Sequence, residues 1–234
     1  MQDSKKRVFH TLEGLEHWLA LSPNLQIVIC DGSDFDFEPL LSKKFPGRKI
    51  ESLYFQNSSE EVQKNGVGYG EGEIIKYALK HSEYLHNSDY VIKCTGKLWV
   101  SNIQDCLNEW NSDFIANAHF LNIFSLHPIK IDYIDTRFYI FNKKFYIDNL
   151  LDSYKESSFG ENKSIENIFL KVLLDLNIKG FIFSINPFIH GMSGASGTYY
   201  KNNLRRSLKN KLKKIILRGN KKFKDLIYFV RNKN

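Results

Sequence analysis

Four short apolar runs fall in the first 100 residues, and the helix-patterned segments between them restrict this chain more than any other feature of its 234 residues. The runs are KRVFHT, LQIVIC, IESLYF and DYVIKCTGKLWV. Between the first two, Leu12, Leu15, Trp18 and Leu19 share one helical face; before the last, EIIKYALKHSEYL has helical spacing. Strands that alternate with helices are joined by crossovers, so the expected fold class is α/β, with a mostly parallel central sheet flanked by helices. NGVGYGEG, with glycine at 66, 68, 70 and 72, is expected to be a flexible connection. Glu71 and Glu73 at the following helix start would repel a phosphate, which argues against a phosphate cradle there.

The second half is less regular. NIQDCLNEW reads as helical, DFIANAHF and TRFYIFNKKFYIDNLL as strand-like, SIENIFLKVLLDLNI as an amphipathic helix and GFIFSINPF as a strand. Composition changes abruptly near residue 201. Residues 201–234 hold 13 Lys or Arg against one acid, Asp225, while the first 200 hold 20 basic and 25 acidic side chains. The expected division is a domain over 1–200 and a basic amphipathic helical tail over 201–234, in which Leu204, Leu208, Leu212, Ile215 and Ile216 recur at helical spacing among lysines and arginines. Such a tail suits an anionic membrane surface, with docking on the protein's own core as the alternative. Nucleic acid is not expected, because the body is acidic and has no recognisable binding module. No stretch approaches the ~20 apolar residues that span a bilayer, and MQDSKKRVFHTLEGL has no signal core, so a cytoplasmic location is expected. Cys30, Cys94 and Cys106 are odd in number and widely spaced, which reads as reduced thiols.

In an open parallel sheet, ligands sit beyond the carboxyl ends of strands, where IVICDGSDFDF places Asp31, Ser33, Asp34 and Asp36. A turn with helix caps is one reading of these residues. A phosphohydrolase with an aspartate nucleophile in DFD is another, although Glu38 stands where that chemistry wants a small hydroxyl. In order and spacing, RVFHTLEGLEHWL, IVICDGSDFDF and GYGEGEIIKYALKHSEYLHNSDYVIK resemble the first 90 or so residues of nucleotide-sugar-dependent glycosyltransferases of the GT-A fold, of the bacterial surface-polysaccharide type. The resemblance implies a Rossmann-like sheet, with Thr11, Asp31 and Ser33 beside the donor nucleoside.

The resemblance breaks where that family carries a DxD for a divalent ion, since this chain has KCTGK. Lys93 and Lys97, around Thr95 and Gly96, are compact cations that could neutralise a leaving nucleoside diphosphate in place of the metal. A hairpin turn with both lysines in solvent is the alternative. Magnesium or manganese as cofactor is left open. An inverting transfer also needs a carboxylate base, for which Glu161, Glu166 and Asp135 are candidates; Glu166 follows Ser164 and also suits a helix start. His190, Ser193, Gly194 and Ser196, in IHGMSGASGTYY, read as an acceptor-facing segment or lid, or as a surface loop. The expected function is transfer of a sugar from a nucleotide-diphosphate-sugar donor to a lipid-linked or surface-polysaccharide acceptor at the inner membrane face. A non-catalytic binding module on a degenerate nucleotide-sugar fold is the alternative.

Overall fold

The computed structural model describes residues 4–110, 113–158, 163–194, 197–201 and 204–228. They fold as two compact units, one formed by Met1–Leu21, Ile92–Phe141 and Leu173–Asn234, the other by Ser22–Val91 and Asn142–Val172.

The second unit is built on β1 (Ile27–Asp31) and β2 (Ile50–Tyr54), which pair in parallel with Ile27 opposite Ile50 and Asp31 opposite Tyr54. The connection between them carries helix α2 (Glu38–Lys44), whose start is held by the Asp36 carboxylate accepting from the Glu38 N–H at 2.9 Å. α3 (Ser59–Asn65) is capped by the Ser58 hydroxyl and ends at Gly66, whose φ of 96° is a conformation that side chains resist. α4 (Val67–His81) begins immediately afterwards, so the glycine-rich stretch is the first turns of a helix and not a loop. Its glycines allow close approach instead of flexibility: a Cβ built at Gly72 would lie 2.2 Å from Tyr154. The short α5 (Glu83–His86) follows, capped by Ser82. α7 (Lys143–Asn149) and most of α8 (Ile165–Asp175) complete the unit, with Ile165, Ile168, Phe169 and Leu170 of α8 buried.

The first unit opens with α1 (Ser4–Leu21), one continuous helix where KRVFHT was expected to be a strand. Thr11, Gly14, Leu15, Trp18 and Leu19 are its buried residues, so the three- and four-residue spacing runs upstream of Leu12 and leaves no period-two pattern. Gly14 brings α1 onto the Gly96–Leu98 backbone, and the Trp18 indole donates to the Leu98 carbonyl at 3.0 Å. β3 (Tyr90–Cys94), β5 (Phe114–Leu121) and β6 (Lys130–Asn142) form one sheet in the order β3-β6-β5, with β5 and β6 antiparallel. β4 (Leu98–Val100), β7 (Ile189–Met192) and β8 (Tyr199–Tyr200) form another, antiparallel throughout. Between β4 and β5 lies α6 (Ile103–Asn108).

The GT-A-like, mostly parallel central sheet is therefore corrected. The described residues form three small sheets, and the only parallel one has two strands. The physical reason is non-local pairing. Successive strands were expected to share a sheet, but β3 takes its neighbour from β6, which comes after 35 intervening residues of chain. The hairpin reading of KCTGK also fails, since β3 and β4 belong to different sheets and Thr95–Lys97 is the turn that passes the chain from one to the other.

GFIFSINPF was expected to be a strand; its apolar core is extended but meets each neighbour at a single bridge, Ile182 with Ala116 of β5 and Ile182 with Ile227. The Ile182 N–H donates to the Leu226 carbonyl at 2.9 Å and its carbonyl accepts from the Tyr228 N–H at 2.8 Å. The basic segment thus supplies an outer row beside the Ile182 row, which itself lies against β5. It also supplies α9 (Leu204–Gly219), and Leu217, Phe223 and Ile227 are buried in the same unit. No helix among the described residues is long and apolar enough to cross a membrane.

Candidate functional site

The residues proposed from the sequence fall in both units. In the second unit, Asp31 closes β1, and its Oδ1 accepts from the Ser33 N–H at 2.9 Å and from the Ser33 hydroxyl. The Tyr54 hydroxyl donates to Asp34, which takes a φ of 60°. These side chains make a self-bonded aspartate turn, the arrangement DGS favours by itself. Glu166 lies in the first turn of α8, where Ser164 Oγ accepts from the Asn167 N–H at 3.3 Å and caps the helix. Glu161 and Ser196 lie outside the described residues.

In the first unit, Thr11 is inside α1, buried, and donates to the Arg7 carbonyl at 3.1 Å rather than ending a strand. Lys93 Nζ donates to the Thr136 carbonyl at 2.6 Å, reaches Thr95 Oγ1 at 3.3 Å, and stands 5.4 Å from the Tyr139 ring centre. Those contacts fasten the end of β3 to β6. Gly96 is exposed with open space around it, and Lys97 is half-buried. His190 on β7 meets Ser101 Oγ at 3.0 Å and stacks on Trp99, whose ring also stacks on His17 at 3.9 Å. Burial, then the neighbouring His17, push the His190 pKa down. Gly194 is exposed, whereas Ser193 is buried and bonds to the Tyr200 hydroxyl.

That last contact leads into an open cavity of about 330 Å³ lined by residues of β5, β6, the Asn186–Ile189 segment, Tyr200 and α9. Asp135 of β6 lies in its wall, 7% exposed. Arg137, two residues along the same strand and hence on the same face, donates to it through Nε at 2.8 Å and Nη2 at 2.6 Å. This fork raises the Arg137 pKa further, against the effect of burial, and fixes the guanidinium 4.9 Å over the Tyr200 ring. The Tyr200 pKa is lowered, first by the Ser193 hydrogen bond and then, against burial, by Arg137. Both Asp135 oxygens are engaged, so its chemistry here is to orient Arg137; removing a proton from an acceptor would first require that fork to open.

α9 supplies Lys209, Lys213 and Lys214 to the same cavity. Lys214 is only 8% exposed and its Nζ donates to the Phe183 carbonyl at 2.5 Å and Asn117 Oδ1 at 3.2 Å. Burial lowers its pKa from the ordinary 10.5 to about 7, with Glu109 opposing the shift and Arg218 and Lys213 adding to it. Between those two values the unfolded chain holds the proton and the folded chain does not, so this group makes the fold more stable as pH rises through the window. In urea unfolding, wild type is expected to gain about 2 kcal/mol over Lys214→Met between pH 7 and pH 9. A constant difference across that range would show that Lys214 is not held in a dry site.

The opposite side of α9 is apolar and open: Leu208, Leu212 and Ile215 are 59%, 51% and 64% exposed. At positions i, i+4 and i+7 they form one stripe, with the exposed Lys209 and Lys211 among them. Among the described residues, no group of three or more His, Cys, Asp or Glu is placed to hold a metal ion. Burial pushes the Cys30 thiol up to about 12, with Asp31 adding to the shift, and raises that of Cys106, so neither is a reactive thiolate. Arg137, Tyr200, Lys213 and Lys214 were not proposed from the sequence. Arg137 could have been found from Asp135 by the two-residue strand period, whereas nothing in a lysine-rich helix tells which lysine turns inward. Comparison with protein-family models, with curated proteins and with solved structures finds no match to this chain.

Proposed function

We propose that this chain is a glycosyltransferase that moves a sugar from a nucleotide-diphosphate-sugar donor to a lipid-linked or surface-polysaccharide acceptor, working on the cytoplasmic face of the membrane without spanning it. The observation that carries the reading is the two-faced α9. Its inner face lends Lys213 and Lys214 to a polar cavity containing Asp135 and Arg137, while its outer face carries the Leu208–Leu212–Ile215 stripe. An apolar stripe edged by lysines suits the boundary between acyl chains and anionic headgroups. A cavity on the other side of the same helix lies about one helix diameter, roughly 10 Å, from that boundary, within reach of an acceptor whose lipid end stays in the bilayer.

The donor side of the proposal rests on the resemblance of the sequence motifs alone, since RVFHTLEGLEHWL lies in helix α1 and the described residues form no mostly parallel sheet. Asp31 is engaged with Ser33 and Lys93 with Thr136, so neither side chain carries the donor side of the proposal. The test is release of nucleoside diphosphate from a panel of nucleotide sugars by the full chain, with EDTA and separately with magnesium or manganese. Release in EDTA is expected if cationic side chains neutralise the leaving group. Absence of release with every donor, in every condition and with anionic vesicles present, would favour the non-catalytic binding module.

A further inference from the structure

The cavity of the first unit contains one carboxylate, Asp135, already neutralised by Arg137, and three lysines besides. Its remaining polar wall is made of donors or amphoteric groups such as Tyr200, Asn186 and Asn210. We propose that it is a phosphate-recognition site, taking a phosphate monoester or diphosphate group. Identifying that group with the head of the lipid-linked acceptor rests on the glycosyltransferase reading; the phosphate chemistry itself does not.

Three features favour phosphate over another anion or an apolar ligand. Arg137 is held in place before any ligand arrives, by the Asp135 fork and by the Tyr200 ring under it, so little side-chain freedom is lost on binding. Lys209 and Lys213 come from successive turns of one face of α9, at i and i+4, and Arg137 from β6, so the cations reach a group from two elements instead of meeting a single oxygen. A planar carboxylate would satisfy one guanidinium, whereas a phosphate offers oxygens in several directions to three cations, Arg137, Lys209 and Lys213. The volume, about 330 Å³, is at the small end of ligand pockets and suits a head group rather than a whole nucleotide sugar.

The experiment is titration of the full chain with inorganic pyrophosphate, in wild type and in Lys209→Ala/Lys213→Ala, with urea midpoints recorded for both. Saturable binding by wild type is expected, weakened about tenfold or more in the double variant at an unchanged midpoint. No binding by wild type, or equal binding by the two proteins, would overturn the site. Vesicle competition identifies the source of the phosphate. If pyrophosphate releases the chain from phosphatidic acid vesicles but not from phosphatidylserine vesicles, a lipid head group occupies the cavity; if it binds without releasing the chain from either, the ligand is a soluble phosphate compound. Donor turnover without pyrophosphate binding removes this inference alone, and pyrophosphate binding without turnover of any donor removes the transferase reading alone.

Discussion

Arg137→Ala is expected to destabilise the first unit by about 2–3 kcal/mol and to abolish phosphate binding in its cavity. Removing one partner of a buried ion pair costs about 3–5 kcal/mol, because the other charge is left without compensation. Asp135 is buried, but the Arg137 side chain is 37% exposed, so solvent reaches the pair and the cost is smaller. Asp135→Asn added to Arg137→Ala removes the stranded carboxylate and should restore part of the stability without restoring binding. Urea unfolding of the four proteins in this cycle gives the coupling directly. An Arg137→Ala protein as stable as wild type would mean that the fork contributes nothing to the fold.

Cutting the chain after residue 200 is expected to unfold the first unit, not merely to remove the proposed membrane-facing helix. The cut removes the buried Leu217, Phe223 and Ile227, each worth about 2–5 kcal/mol in a core. It also strips the Ile182 N–H and carbonyl of their partners at 226 and 228, inside a row whose Phe181, Ile182 and Phe183 are fully buried. Together these losses match or exceed the 5–15 kcal/mol that stabilises a domain. Residues 1–200 should therefore show no cooperative urea transition for this unit. A cooperative transition at the full-length midpoint would show that the basic segment is dispensable to the core.

The basic segment thus illustrates what a sequence can and cannot disclose. Its helix was readable from leucines at helical spacing, and the apolar stripe was expected to seek an apolar surface. That Leu217 and Lys214 would turn inward was not readable, because the same wheel accommodates either face when one side is flanked by lysines throughout. Elsewhere β1, β2, α8 and much of α4 could be read from continuous apolar runs or a strong 3.6 period. Gly68, Gly70 and Gly72 misled, because sequence shows a glycine's freedom and not the neighbours that require it, Ile165 at Gly68, Asn57 and Val62 at Gly70 and Tyr154 at Gly72. TRFYIFNKKFYIDNLL contains both the end of β6 and the start of α7; the divide falls at Asn142, whose side chain caps the helix by accepting from the Phe145 N–H at 2.9 Å. The sheet order was out of reach for a different reason. Local pattern identifies strands, while partners such as β3 and β6 are chosen by packing across the chain. Asp135 was proposed from the sequence as a candidate base; the cations around it come from a second position on its strand and a distant helix, which only the fold brings together.

The proposed membrane attachment and the proposed catalysis meet in one measurement: incorporation of labelled sugar from nucleotide-sugar donors into the lipid fraction of anionic vesicles carrying a phosphorylated polyprenol, comparing wild type with Leu208→Gln/Leu212→Gln/Ile215→Gln. The three side chains are exposed, so the variant should fold normally, each substitution changing stability by about 0.5 kcal/mol or less. Wild type is expected to float with the vesicles and to label their lipid, and the variant to do neither. Label that never enters the lipid fraction with any donor, although the wild-type chain is bound to the vesicles, would contradict the proposal that this protein is a membrane-associated glycosyltransferase.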